Sequence, residues 1–510
     1  MTETPLASLE IDPARRQIEY SRHIFGHFIE HFHRQVYGGI FEPGSPLSDD
    51  HGFRLDVIDA LRELRVPNVR WPGGCFVSAY HWVDGVGPDR QPVYDPAWRV
   101  TDPNTFGTDE FLAWCAEVGT DPYICTNAGT GTPEEMADWV EYTNRPVGSR
   151  WSNLRAANGH PEPYGVPFWS VGNENYGDWE IGAKTGPEWA EFVTESAKIM
   201  LRTDPNIKLL AAAVEKNDWA LPLLEKAGKY LTYISIHGYW DKISQIDEPS
   251  SYLACMAMTT KPERQIALVR AMIDVTGQDH VQIAFDEWNL RGWHHPIGNA
   301  PEAIAARDRN DINSTYTMAD AVFSASFLNS CLRNGDKVGM ANLAPTINTR
   351  GPLFVHPDGI VKRTTFHLMS MYTNLLGPRV LDSALTSANL DTSYGDVPLV
   401  DAIATAGDDG FTTIVLVNKS ADQTVPVRVR IAGRPVTGEH DATILAGASP
   451  DSYNDVEHPD AVTPTHCQQR FDDGITIVPP HSVTVCRIAA ASSAPVGLEW
   501  SVSRSSTVRS

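Results

Sequence analysis

The chain has 510 residues, 42% hydrophobic and 21% charged, which is enough apolar material for a large core and the wrong balance for wholesale disorder. Its 41 basic residues against 64 acidic ones give a net charge of −23, so a nucleic-acid or membrane-surface partner is not expected. The opening MTETPLASLEIDPARRQIEY lacks an apolar core behind a basic start, and no stretch approaches ~18 consecutive apolar residues. Seven scattered cysteines form no CxxC and read as free thiols, so a cytoplasmic protein is expected.

Leu6–Tyr20 reads as an isolated strand. From there, β-rich runs alternate with helical patterns. The runs are His23–Glu30, Val66–Trp71, Pro122–Asn127, Pro167–Glu174, Lys208–Ala213, Leu231–Tyr239, His280–Glu287 and Lys337–Ala344. Between them, Arg54–Arg65 places Leu55, Ile58, Leu61 and Leu64 on one helical face. Thr132-Pro-Glu-Glu reads as an N-cap, a proline at the first helical position and acids in the first turn. Further helices are predicted over Asp109–Val118, Gly186–Arg202, Asn217–Lys229, Pro262–Thr276, Ser314–Arg333 and Thr365–Leu376. Eight strands alternating with eight helices predict an α/β fold, a (β/α)8 barrel over residues 21–377, with a doubly wound open sheet as the alternative.

After Gly377 the pattern becomes all-β. Val380–Leu390, Leu399–Ala406, Phe411–Asn418, Thr424–Ile431, Asp441–Leu445 and Ile475–Ile488 are separated by turn residues and predict a C-terminal antiparallel, jelly-roll-like β-sandwich over residues 378–490. The first 20 residues are expected to add a strand to it. The Ser-rich stretch 491–510 is expected to be a mobile tail.

In a barrel of this kind the active site sits where strands end and βα loops begin. The fourth run ends in Gly172-Asn173-Glu174-Asn175 and the seventh in Asp286-Glu287-Trp288-Asn289, each setting a carboxylate after an apolar run on the same rim. Two such carboxylates suit glycoside hydrolysis, one protonating the leaving oxygen and the other attacking the anomeric carbon. The bland alternative is that each Glu caps a helix or lies on a solvated loop.

These strings, with FGHFIEHFHRQVYGGIFEPGSP, VRWPGGCFVSAYHWVDGVGP and FGTDEF, resemble glycoside hydrolase family 51, the α-L-arabinofuranosidases of the retaining (β/α)8 clan. The resemblance runs from about Ile24 to Leu376. It implies Glu174 as general acid/base and Glu287 as nucleophile. It further implies Asn173 on the sugar 2-hydroxyl, Glu30 on sugar hydroxyls, Arg70 beneath the nucleophile, Tyr239 donating to it, and His237 on the same polar floor. Trp98 matches an aromatic beside the leaving-group subsite, and Cys75 stands where many members have Asn. Pro345 stands where many members have a Gln and cannot donate, so that sugar contact is either missing or supplied by another residue, such as Asn348 or Arg350. Trp82, Trp179 and Trp293 are further stacking candidates.

The implied function is exo-acting removal of terminal non-reducing α-L-arabinofuranosyl residues from arabino-oligosaccharides through a covalent glycosyl-enzyme. Carboxyl carbons about 5–5.5 Å apart and a Glu174 that starts with a raised pKa are expected. The resemblance also implies a homo-oligomer, a hexamer or trimer of dimers, and no cofactor or metal. Galactofuranosidase, xylosidase and endoglucanase specificities remain alternatives. So does a zinc hydrolase, because His27-Phe-Ile-Glu30-His31 is formally HxxEH, although an aromatic, strand-like run is a poor helix. A catalytically inactive sugar-binding protein is a third reading, disfavoured because the sandwich carries no Trp from Arg379 to Leu498. That sandwich reads as a structural and oligomer-forming module.

Overall fold

A computed structural model describes residues 7–241, 249–292, 297–309 and 311–489. The tail expected at 491–510 lies outside them, as does Trp293. Eight parallel strands close into a barrel: Gly26–Phe28, Asn68–Trp71, Asp121–Thr126, Phe168–Val171, Lys208–Ala212, Tyr233–Tyr239, Gln282–Asn289 and Val338–Leu343. The last returns to the first with Asn342 opposite Gly26. Strands three to eight each send one side chain, Tyr123, Phe168, Leu210, Tyr233, Ala284 and Met340, into a small apolar cluster of their own. The barrel lumen is therefore packed, and the site lies at one end of it.

The helices follow the sequence with instructive departures. In Leu55–Glu63 the buried face is Val57, Ile58, Ala60 and Leu61, with Leu64 just beyond, whereas Leu55 is 47% exposed. Thr132 caps Pro133–Asn144 by accepting from Glu135 N–H. Met318–Arg333 has nearly every residue buried. Its contacts with the C-terminal sheet explain why it lacks a polar stripe: Asn329 and Arg333 reach Asp401 at 3.3 and 2.7 Å. The first barrel strand is shorter than His23–Glu30 because Arg22–Phe25 forms a 3₁₀ turn, with the Ser21 hydroxyl accepting from His23 N–H.

The C-terminal region is a ten-stranded, largely antiparallel sheet. Ala7–Glu19 lies inside it, antiparallel to Arg379–Ser387 and parallel to Val425–Ile431. The expected strand over Ile475–Ile488 is two, Ile475–Val478 and Ser482–Ala489, because Pro479 and Pro480 have no N–H to continue the ladder. Thr465–Phe471 was not foreseen: it ends the sheet path and is largely polar and exposed, so it carries little apolar alternation. The sheet folds back on itself, since Gln469 donates to Thr476 Oγ1 and the Ile477 carbonyl at 2.6 and 2.9 Å. All seven cysteines are free. No helix among the described residues is long and apolar enough to cross a membrane.

Candidate active site

The fourth barrel strand ends in a sharp turn. Gly172 has φ +68°, and a Cβ there would lie 2.1 Å from Asn175 Oδ1. Asn175 Oδ1 accepts from Asn173 N–H at 3.1 Å, and Glu174 itself takes the left-handed region at φ +44°. A non-glycine residue held there is strained, and the turn aims its carboxylate at the barrel axis.

The seventh strand, Gln282–Asn289, solves a different problem. Successive residues of a regular strand face opposite sides. The register against the sixth strand shifts between Ala284 and Glu287, and against the eighth between Phe285 and Trp288. This irregularity lets Asp286 and Glu287 both reach the polar interior. Asp286 accepts from Ser235 (2.5 Å) and Tyr123 (2.7 Å), while Glu287 accepts from Arg70 (2.5 Å) and Tyr239 (2.7 Å).

Arg70, on the second strand, is fully buried beneath this pair. It lies 3.4 Å from Asp286, over the rings of Phe28 and Tyr123, and donates to Asn173 Oδ1 at 2.9 Å. Asn173 is thereby oriented, and its Nδ2 donates to Glu180 at 3.2 Å. His237 stands between the two catalytic candidates. Its Nδ1 is 2.8 Å from Glu174 Oε1 and 3.5 Å from Glu287 Oε2, and its Nε2 is 3.4 Å from Asp286 Oδ1. The ligating atoms of Glu174, His237 and Glu287 lie within 4.8 Å of one another. The structure thus brings together Glu174 and Glu287, as the strand-end reading requires.

Glu30 follows the first strand and accepts from Phe76 N–H (3.0 Å) and Trp98 Nε1 (3.1 Å). It packs so closely that a Cβ on Gly73 would lie 2.3 Å from its Cγ, which accounts for the glycine in Trp71-Pro-Gly-Gly. Trp98 stands on a loop between the short strands Val93–Asp95 and Val100–Asp102, against Phe32. Glu30, Gly74, Cys75, Trp98, Asn173, Glu174, Trp179, Glu180, Tyr239, Glu287 and Ile297 are among the residues around a cavity of about 650 Å³.

The charges are unevenly shared. Burial pushes the Glu30 carboxyl up to about 8, against its two N–H donors and with Glu287 adding repulsion. Burial likewise raises Glu180 to about 7 and the Cys75 thiol well above its ordinary range. Asp286 is held well below the carboxylate range: burial works upward, and the charges of Arg70 and His237 outweigh it. Burial lowers His237, yet the surrounding Glu287, Asp286 and Glu174 raise it to about 10. Glu174 departs from expectation. Burial works to raise it, but the hydrogen bond and charge of His237, with donors Trp179 Nε1 (2.9 Å) and Tyr176 OH (3.1 Å), hold it below its ordinary value. His237 is thus raised and Glu174 lowered across the 2.8 Å contact they share.

Other expectations need correction. Trp82 is 2% exposed, packed on Trp139, Tyr142 and Trp151, and is core. Asn348 does not line the cavity: its Nδ2 donates to the Arg34 carbonyl and its Oδ1 accepts from Val355 N–H. Arg350 is buried, close to Tyr239 and Tyr316, and also lies off the cavity wall. The HxxEH string forms no metal site, because His31 pairs with Asp102 at 2.8 Å while Glu30 faces the cavity. Among the described residues the two groups with mutual metal-ligand spacing are Cys75, Glu174, Glu180 and Glu174, His237, Glu287, which share Glu174. Sequence reasoning missed Asp286, Tyr176 and Glu180. Asp286 stood inside a quoted motif without being given a role, and Tyr176 was adjacent to another. Glu180 carried no signal, since a Glu five residues after the fourth strand's motif reads as loop.

Two family profiles match the chain, "Alpha-L-arabinofuranosidase 1 domain" over residues 60–255 and "Alpha-L-arabinofuranosidase C-terminal domain" over residues 286–482. The α-L-arabinofuranosidase C of Emericella nidulans is 35% identical over 449 residues, covering 82% of this chain and 86% of that relative. An intracellular exo-α-(1→5)-L-arabinofuranosidase of Streptomyces lividans is 33% identical over 479 residues, covering 90% and 71%. The crystal structure of an α-L-arabinofuranosidase from Thermotoga maritima in complex with arabinose superposes with a TM-score of 0.85 at 33% identity, covering 94% of this chain and 99% of that one. The chain belongs to the α-L-arabinofuranosidase family, glycoside hydrolase family 51.

Proposed function

We propose that this protein is a retaining, exo-acting α-L-arabinofuranosidase that removes terminal non-reducing residues from arabino-oligosaccharides. The observation that carries the reading is the shared contact of Glu174 and Glu287 with one nitrogen, His237 Nδ1. Carboxylates this close suit the about 5–5.5 Å separation of retaining enzymes and leave no room for the water that an inverting enzyme seats across about 6.5–9.5 Å.

Each residue then has a task set by its surroundings. Arg70 and Tyr239 both donate to Glu287 and fix its oxygens, so that it attacks the anomeric carbon from one face. Glu174 takes the His237 proton across their hydrogen bond and delivers it to the departing glycosidic oxygen. Once Glu287 is esterified its charge is gone, and Glu174 returns as the base that activates water. Asn173, held by Arg70 and Glu180, has an N–H left for the sugar 2-hydroxyl. Glu30, Cys75 and Trp98 wall the sugar position. A compact cavity suits a terminal sugar.

The intracellular Streptomyces relative supports a cytoplasmic site of action. The test is a panel of chromogenic furanosides and pyranosides, with the anomer of the first-formed sugar read by NMR. Turnover of the α-L-arabinofuranoside with retention is expected. Preference for a pyranoside, or an inverted first product, defeats the proposal.

A further inference from the structure

The hairpin that carries Trp98 is fastened from behind by a residue with no task in the catalytic steps. Val93–Asp95 pairs with Val100–Asp102, and the residues between them, Pro96, Ala97, Trp98 and Arg99, all line the cavity. Asp95 faces the other way: it is buried and borders a separate small void with Tyr80, Asp102 and Asn104. Its carboxylate takes one donor on each oxygen, Oδ1 from Ala97 N–H at 2.9 Å and Oδ2 from Trp98 N–H at 3.1 Å. Pro96 has no N–H, so these are the first two donors the turn offers. Arg99 closes the turn at φ +56°, a left-handed conformation that a non-glycine residue keeps only when its surroundings hold it.

The turn decides where the indole points. Trp98 Nε1 donates to Glu30 Oε1 at 3.1 Å, its ring packs on Phe32 at 4.5 Å between centroids, and its carbonyl accepts from Gly298 N–H at 2.8 Å. The stem of the hairpin bears on the next residue: Asp102 meets His31 Nδ1 at 2.8 Å and accepts from Tyr37 OH at 3.0 Å. Glu30 and His31 are therefore gripped by the tip and the stem of one hairpin. Glu30 Oε1 is directed by two donors, Phe76 N–H and the Trp98 indole, and only the second is a side chain, placed by the turn that Asp95 holds.

We propose that Asp95 is a positioning residue for the sugar site: by holding the Ala97 and Trp98 N–H groups it fixes the Trp98 indole against Glu30, and so sets the wall on which the sugar is bound. This role rests on the glycosidase reading of the site and goes beyond it, since Asp95 lies off the cavity and acts through Trp98 alone. An aspartate is what the turn needs. Both donors are N–H groups, so both acceptor atoms must be oxygens, and an amide in the same place would set its NH2 against one of them. Burial pushes the carboxyl up to about 6 against these two N–H groups, so at pH 8 it is ionised and its bonds are charge-assisted, roughly twice as strong as neutral ones. Trp98 and Glu30 stand beside the sugar and not at the bond being broken. Losing their placement therefore weakens ground state and transition state alike, which raises KM and spares kcat.

The experiment measures kcat and KM at pH 8 for wild type, Asp95→Asn, Trp98→Ala and the double variant on 4-nitrophenyl α-L-arabinofuranoside. Asp95→Asn should raise KM about fivefold to thirtyfold, the worth of the one bond it loses, with kcat within about twofold of wild type. Trp98→Ala should raise KM by at least as much, and in that background Asp95→Asn should add less than about twofold, because Asp95 acts through Trp98. A residue that only stabilises the fold would instead change the active fraction, which lowers kcat, leaves KM in place and acts equally in both backgrounds. An Asp95 effect that lies in KM and vanishes without Trp98 is the expected result, and any other pattern, wild-type constants included, overturns the inference. Asp95→Ser, which keeps one shorter acceptor for the same N–H groups, gives the same reading if the Asn variant does not fold. Wild-type inactivity on this substrate defeats the arabinofuranosidase reading alone, and the cycle is then run on whichever glycoside the wild type hydrolyses.

Discussion

If Glu174 and His237 share one proton, as proposed, replacing His237 with Asn removes one of the two groups that hold it. In the wild type, His237 is surrounded by Glu174 at 2.8 Å, Asp286 at 3.4 Å and Glu287 at 3.5 Å, and these raise it from 6.5 to about 10. Each pH unit is worth about 1.4 kcal/mol, so the protonated form is favoured by several kcal/mol over a solvated histidine. The pair Glu174–His237 therefore keeps one proton until about pH 10, and the alkaline limb of kcat/KM should lie near there. In His237→Asn the proton must rest on Glu174 alone. Losing the cation raises Glu174, because burial now acts against only Trp179 and Tyr176, but a carboxyl does not reach 10. The alkaline limb should move down by about two units or more. The same linkage has a stability face. A histidine raised on folding stabilises fully below pH 6.5 and ceases to do so as pH climbs through about 10. The variant should lose stability at neutral pH and little relative to wild type above pH 10. The assay is a pH–rate profile on a chromogenic arabinofuranoside, with urea unfolding at pH 7 and 10. An alkaline limb that stays in place in a folded variant refutes the proton-sharing argument.

Glu287→Ala should abolish turnover, and azide should restore it with an inverted glycosyl azide; a retained azide product, or activity without azide, assigns the nucleophile elsewhere. Tyr239→Phe removes the 2.7 Å bond to Glu287 and should lower kcat/KM about tenfold to a hundredfold with the fold unchanged, so a variant at wild-type rate defeats the positioning role. Arg70→Met leaves Asp286 and Glu287 buried without their cation and should cost about 3–5 kcal/mol in denaturant unfolding at pH 7; a loss under 1 kcal/mol would mean that other donors suffice. Trp82→Ala, a core deletion among Trp139, Tyr142 and Trp151, should cost about 3–5 kcal/mol of stability and leave KM unchanged, whereas a raised KM would return Trp82 to the sugar site.

The barrel, the sheet that follows it and the two strand-end glutamates were legible in the sequence for a local reason. Strand alternation, helix periodicity and caps such as Thr132 are written in neighbouring residues, and Glu174 and Glu287 each end an apolar run. Where local signals were weak, the reading slipped: Thr465–Phe471 is a polar strand at the end of the sheet path, and Leu55 was placed on a buried face that helix rotation leaves outside. What only the tertiary structure decided is where the charges rest. The register shift that turns Asp286 inward beside Glu287 depends on the two neighbouring strands. The raising of His237 depends on three carboxylates drawn from two other strands, far apart in sequence. The conversion of Glu180 from an apparent loop residue into a cavity wall depends on Asn173 and Cys75 closing around it. A pKa is set by everything within a few ångströms, and that neighbourhood does not exist until the barrel closes.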